Sequence, residues 1–432
     1  MRTNALSVLA VAALAVLAVG TLATSTPAPA QERTVHSFSS SLPGGSGPDA
    51  GLIADAAGNF YGVTQSDGPE TCEPFDPTGC GTVFELSPKA GGGWTVTVLY
   101  NFHGEDGWSP IGGLTLDSTG NLYGTTSLGG TGKCWSGNHT VVGCGTVFEL
   151  SPAGGGKWTH QILHSFQATG DGASPEAGVI FDSSGNLYGT TASGGAYYSG
   201  TVFQLTPSDG GGWTETLLHQ FGSIVGDGGV PLSSLIFDST GNLYGATYDG
   251  GIYGQGTVFE MSPGSGGNWA ETVLYSFQYV SSDGQNPQGG LVFDASGNLY
   301  GTTFLGGNRG YGTVFQVTNA GGVWTERLLH SFEYSDTNHD GAFPCATLIF
   351  DGDGNLYGTT ASGGSANGGS VFEMMPGESG DWRERVLHSF GSQTGDGWQP
   401  HGNLIFDNAG NLYGTTVFGG DYSSGTVFEV KQ

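Results

Sequence analysis

Seven prolines, Pro48, Pro110, Pro175, Pro231, Pro287, Pro344 and Pro400, each stand four residues before the Leu or Val of a short apolar run. The residue after each proline changes from copy to copy: Asp49, Ile111, Glu176, Leu232, Gln288, Cys345 and His401. If the chain closes into a ring, these seven approach one end of a shared central channel, and Cys345, His401 and Asp49 become consecutive around it. That order suits an imidazole-activated thiol or a soft metal site. Chance among seven unconstrained positions is the plainer reading. Asp49, Glu176, Asp249 and Asp421 are acids that do not recur in every copy, as glycosidase chemistry would need. Such chemistry wants two carboxyls about 5–10 Å apart. The sequence holds no Ser-His-Asp signature, phosphate loop or zincin helix.

Two further residue sets recur. Asp-Gly appears before six of the seven apolar runs, at Asp106, Asp171, Asp227, Asp283, Asp340 and Asp396, with Gly44 in place of the first Asp. A ring of acids could hold Ca2+, but an Asp before Gly ordinarily caps its own turn, and no resident cofactor or metal is expected. Aromatic residues crowd the loops: Trp108, Trp135, Tyr197, Tyr198, Tyr253, Phe418, Tyr422 and Trp398. Aromatic faces stack on sugar rings, although loop aromatics also pack on their own supports.

These residues hang on a repeat. Its marker, GNLYG or GNFYG, begins at Gly58, Gly120, Gly185, Gly241, Gly297, Gly354 and Gly410. Each unit offers four short β-like runs; in the third they are GVIFD, NLYGTT, GTVFQLTP and WTETLLHQF. Four strands in each of seven units predict an all-β, seven-bladed β-propeller. The last unit stops at GTVFEVKQ without a fourth run, and ERTVHSF (residues 32–38) matches the missing one. The N-terminal strand is therefore expected to complete blade seven and close the ring. Asp182 and its equivalents should accept backbone N–H bonds in the turn before NLYG, with Gly185 at positive φ. DGDGN (residues 351–355) faintly suggests a calcium loop but lacks the remaining ligand positions, so it reads as the same turn. His36, His164, His219, His330 and His388 hold one position in the fourth run, and Tyr100 and Tyr275 replace them elsewhere, which marks a packing position.

With this order, the loops entering the first strand and those joining the second and third share one face, the top. The opposite turns are short and uniform, so binding is expected on top. Of 432 residues, 82 are Gly and 18 Pro. Disorder is countered by aromatics at fixed places in the repeat. The net charge of −28, with only ten Lys and Arg, excludes a phosphate backbone as partner and favours a neutral or cationic one. Residues 1–30 read as a signal peptide, with Arg2, an apolar stretch over residues 5–23 and a small-residue APA cleavage site; an uncleaved anchor is the rival reading. Residues 31–432 would then form one exported domain, monomeric, secreted or periplasmic, with no membrane insertion after cleavage. Cys72–Cys80 and Cys134–Cys144 each bracket one loop insertion and are expected to pair, leaving Cys345.

The blocks GNLYGTT, GG and GTVFEL followed by Ser or Thr and Pro, in order and repeated, resemble the GloVer-type tandem repeat. The resemblance spans nearly the whole mature chain. It implies an exported bacterial protein with a surface or extracellular role and brings no activity or catalytic residues. The family's anchored members carry C-terminal tails, whereas this sequence ends directly after a strand, which favours release. The function expected is non-catalytic binding of a glycan or cell-surface component, with no nucleic-acid partner. The alternative is an extracellular polysaccharide-acting hydrolase or lyase using top-face carboxylates.

Overall fold

The computed structural model describes residues 30–40, 44–68, 79–134, 142–334 and 339–431. The expected seven-bladed propeller is what forms. Blade three runs from Ile180–Phe181 through Leu187–Thr191 and Thr201–Ser208 to Gly212–Gln220, each strand antiparallel to the last. The other blades repeat this order. In blade seven, Ile405–Phe406, Leu412–Thr416 and Thr426–Lys431 are followed by Gln31–Ser37, paired Gln31 to Lys431 and Ser37 to Thr426. The first strand of the chain is thus the outer strand of the last blade.

Burial on both faces drives the ladder. In Thr201–Ser208, Val202, Phe203 and Leu205 are fully buried while Gln204 is partly exposed. The outer strand's run Leu217, Leu218, His219 breaks alternation, and the pairing shifts there: Phe203 faces Leu217 but Val202 faces His219. Leu218 takes the bulge. The innermost strand is shorter than its sequence run, two residues rather than five, because the residues upstream, such as Ala177 and Gly178, leave the ladder to line the channel.

The core lies between blades, in seven layers. Tyr123 of blade two and Phe166 behind it meet Leu187 and Phe203 of blade three, with Phe166 and Phe203 edge to face at 5.2 Å. In the closing layer Phe38, Tyr413 and Val427 meet Leu52, Phe60 and Phe84.

Two local devices fix the ring. Asp182 Oδ1 accepts the N–H groups of Ser184 and Asn186, and Oδ2 accepts Asn186 Nδ2 and Tyr188 Oη. Asp351 makes the same bonds in DGDGN. The second device is the glycine before TVF. Gly200 sits at φ +93°, and a Cβ there would lie 2.2 Å from the Thr191 carbonyl and 2.8 Å from Cδ of Pro231 in the next blade's loop. Each copy makes this contact, ending with Gly425 against Pro48. The prolines ahead of the channel residues are thereby seated on the preceding blade.

Candidate functional site

The loops entering each first strand and those joining the second and third strands pair with one another, which puts both on one face. Gly228–Gly229 pairs with Asp249–Gly250, Gly341–Ala342 with Ser362–Gly363, and Gly397–Trp398 with Phe418–Gly419.

All seven residues that follow the prolines line one central channel of about 160 Å³. Its wall continues in small and polar groups such as Ser233, Ser234, Thr347 and Asn403. The channel is asymmetric in charge. His401 Nδ1 lies 2.8 Å from Asp49 Oδ1. Burial, and then the Asp49 charge, hold the Glu176 carboxyl above the usual carboxylate range. Burial first and Asp49 second push the Cys345 thiol up. That direction opposes thiolate formation and speaks against an activated nucleophile there. Of the four one-off acids, the channel brings together Asp49 and Glu176. Asp249 instead pairs with Gly229, and Asp421 stands in the blade-seven loop, its N–H bonded to Ser37 Oγ.

The Asp-Gly acids turn inward. Asp171 Oδ1 accepts the N–H groups of Gln167 and Gly172, and Asp227 those of Ser223 and Gly228. The side chains of Asp227 and Asp396 are 0% and 2% exposed, so the six acids do not form an open ring. Each also meets the outer-strand residue read as packing. His164, His219, His330 and His388 lie 3.2–3.4 Å from Asp171, Asp227, Asp340 and Asp396. Tyr275 donates to Asp283 at 2.8 Å, and Tyr100 bonds Asp106 at 2.5 Å. The His rings do pack, edge-on to a phenylalanine two residues on, as His164 on Phe166 at 4.7 Å.

The loop aromatics divide. Trp108 is half-buried against the core between blades one and two. Phe304 and Tyr311 pack on Phe343. Tyr197, Tyr198 and Tyr253 are exposed over blades three and four. In blade seven, Trp398, Phe418 and Tyr422 are 41%, 52% and 55% exposed. Trp398 is paired across from Phe418, and Tyr422 belongs to the same loop as Phe418. Trp398 stands three residues before His401, so one loop runs from this aromatic platform to the channel wall.

The model of the Gloeobacter/Verrucomicrobia repeat matches residues 76–290, 135–338 and 265–432. The chain belongs to that repeat family. No curated protein matches it. Among solved structures it is similar to the extracellular domain of a hybrid two-component system of B. thetaiotaomicron, at TM-score 0.54 and 12% identity, over 93% of this chain and 40% of that one. It also resembles a protein described as a 6-phosphogluconolactonase from Bacteroides uniformis, at TM-score 0.49 and 14% identity, over 79% and 84% of the two chains. At these identities the likeness is one of fold.

Within this Gloeobacter/Verrucomicrobia-type chain, Cys134 and Cys144 are bonded, their Cα atoms 5.0 Å apart. Cys345 is a free thiol. Cys72, Trp135 and residues 1–29 lie outside the described residues. No described helix is long and apolar enough to cross a membrane. One set of residues went unread in the sequence: Glu32, Glu215, Glu271, Glu326 and Glu384. Each lies on an outer strand, four residues before the recurring His or Tyr of its own strand, and faces the Asp-Gly acid of the preceding blade junction. Burial is the largest cause that raises them, to about 7 for four and about 8 for Glu326. The four-residue spacing was the available signal.

Proposed function

We propose that this chain is an exported, non-catalytic binding propeller that takes a glycan on the blade-seven side of its top face. The observation that carries the reading is the exposed trio Trp398, Phe418 and Tyr422 at the end of the loop that supplies His401 to the channel. A sugar ring offers an apolar C–H face for stacking and hydroxyls for polar partners. The Asp421, Asp49 and His401 side chains supply polar groups along that path. The net charge of −28 disfavours polyanionic glycans, so a neutral or amino-sugar polymer is the class expected. Two features support export: the apolar N-terminal segment of the sequence and a bonded cysteine pair, which oxidising compartments sustain.

A second reading rests on Asp49 and Glu176 sharing the channel, one paired with His401 and the other held toward its protonated form. Such a pair would serve as base and acid in polysaccharide cleavage. One experiment separates the two. The purified mature chain is applied to a glycan array and scored for retention and for released fragments. Retention lost about 10- to 100-fold in Trp398→Ala and Tyr422→Ala, with Lys157→Ala unchanged, supports the platform. Fragment release abolished by Glu176→Gln supports the enzyme. Retention unchanged in both aromatic variants removes the platform from the site.

A further inference from the structure

Among the described residues, three blade junctions gather one chemical arrangement at ligand distance, and the junction of blades five and six carries the same residue types in His330, Asp340 and Glu384. Between blades two and three it is His164, Asp171 and Glu215; between three and four, His219, Asp227 and Glu271; between six and seven, His388, Asp396 and Glu32. In each, the imidazole comes from one blade's outer strand, the Asp from the loop leaving it, and the Glu from the next blade's outer strand. The three candidate ligand atoms lie within 4.8 Å of one another. His164 Nε2 is 3.2 Å from Asp171 Oδ2 and 4.0 Å from Glu215 Oε1.

A separate feature points to an occupant. Oε1 of Glu32, of Glu215 and of Glu271 is buried and receives no hydrogen bond. The same holds for Oε1 of Glu326 and Glu384 at the two junctions between blades four and six, so it is the imidazole beside the two carboxylates that distinguishes a site from the phenol junction. A buried carboxylate oxygen without a donor, beside a second carboxylate, is costly unless a proton or a cation meets it. Backbone N–H groups already orient the Asp of each triad: Gly172, Gly228 and Gly397 donate to Asp171, Asp227 and Asp396. Such outer contacts are what hold metal-ligating carboxylates in place. At the blade three–four junction, Asp227 and Glu271 form part of the wall of an open cavity of about 520 Å³ bordered by Ile224, Val225, Ile252 and Tyr253. That cavity is an entry path.

We propose that these three junctions are sites for divalent transition ions of the zinc type, each held by one imidazole and two carboxylates and joining neighbouring blades. One nitrogen and two oxygens with room for water is a first-row donor set, whereas calcium wants six or more oxygens. The imidazole must carry its proton on Nδ1, so that the Nε2 lone pair faces the ion. The repeat supplies internal controls. At Tyr275, Asp283 and Glu326 a phenol replaces the imidazole, and around His36 the Asp and Glu positions are Gly44 and Val96.

The test uses the mature chain stripped with chelator, then titrated with Zn2+ by calorimetry and checked by elemental analysis. The expected result is one tightly held ion for each of the three triads, so at least three per chain, and a melting temperature that rises with Zn2+ and returns with chelator. Glu271→Gln should lower the count by one, as should Glu215→Gln, while Glu326→Gln at the phenol junction leaves it unchanged. An ion count unchanged in both Glu215→Gln and Glu271→Gln would place the metal on surface histidines and overturn the proposal. So would an equal melting shift from Ca2+, or no binding. Circular dichroism of each variant separates loss of a site from loss of the fold.

Discussion

His401 Nδ1 lies 2.8 Å from Asp49 Oδ1 across 352 residues of chain, joining the loop into blade seven to the loop into blade one. Both side chains are partly exposed, at 34% and 26%, so the pair contributes at most about 1 kcal/mol to stability. Its larger effect is on charge within the channel, because Asp49 also raises Glu176. Asp49→Asn should lower the Glu176 carboxyl toward its ordinary range while barely moving the melting temperature. Carboxyl NMR titration of the two proteins measures this, and an unmoved Glu176 would show that burial alone sets it.

Removing the N-terminal strand should be far more damaging. Residues 31–38 supply the whole outer strand of blade seven and Phe38, which is 1% exposed. Phe38→Ala alone should cost about 3–5 kcal/mol. The truncation should also expose the edge of Thr426–Lys431 and promote aggregation. Thermal melts with light scattering test both, and a truncated chain that melts like the parent would contradict strand exchange as the closure.

Two glycines with similar φ separate backbone strain from contact. Gly200 at φ +93° has no room for a Cβ, whereas Gly210 at φ +102° has nothing within 4 Å. Gly210→Ala should cost about 1–2 kcal/mol, the left-handed penalty alone. Gly200→Ala should cost several kcal/mol more, since Thr191 and Pro231 must both move. Urea unfolding of the two variants gives the comparison, and equal losses would refute the Pro–Gly seat between blades.

Stability should fall as pH rises through neutrality. Glu326, facing Asp283 and Tyr275, and Glu384, facing Asp340 and His330, are raised by burial to about 8 and about 7. A carboxyl raised on folding gives stability that is full below its unfolded value and lost as pH climbs through the folded one. The melting temperature should therefore drop between about pH 5 and about pH 8. Glu326→Gln should flatten that drop. An identical pH profile in the variant would assign the slope to general repulsion within the acidic chain.

Much of the fold was legible because it is local and repeated. The Asp182 turn, the apolar run TVFQL and the displaced final strand ERTVHSF are carried by adjacent residues, and short apolar runs between tight turns leave little choice of structure. Even the channel residues could be named, since Pro48 and its equivalents fix the distance from the inner strand. Tertiary structure alone decided what met across blades. It turned Asp171 and Asp227 inward onto His164 and His219, set Glu215 and Glu271 against them from the next blade, and separated the exposed Trp398, Phe418 and Tyr422 from a Trp108 half-buried in packing. The physical reason is that burial and pairing between neighbouring sheets depend on the angle at which identical blades abut. No single repeat encodes that angle by itself.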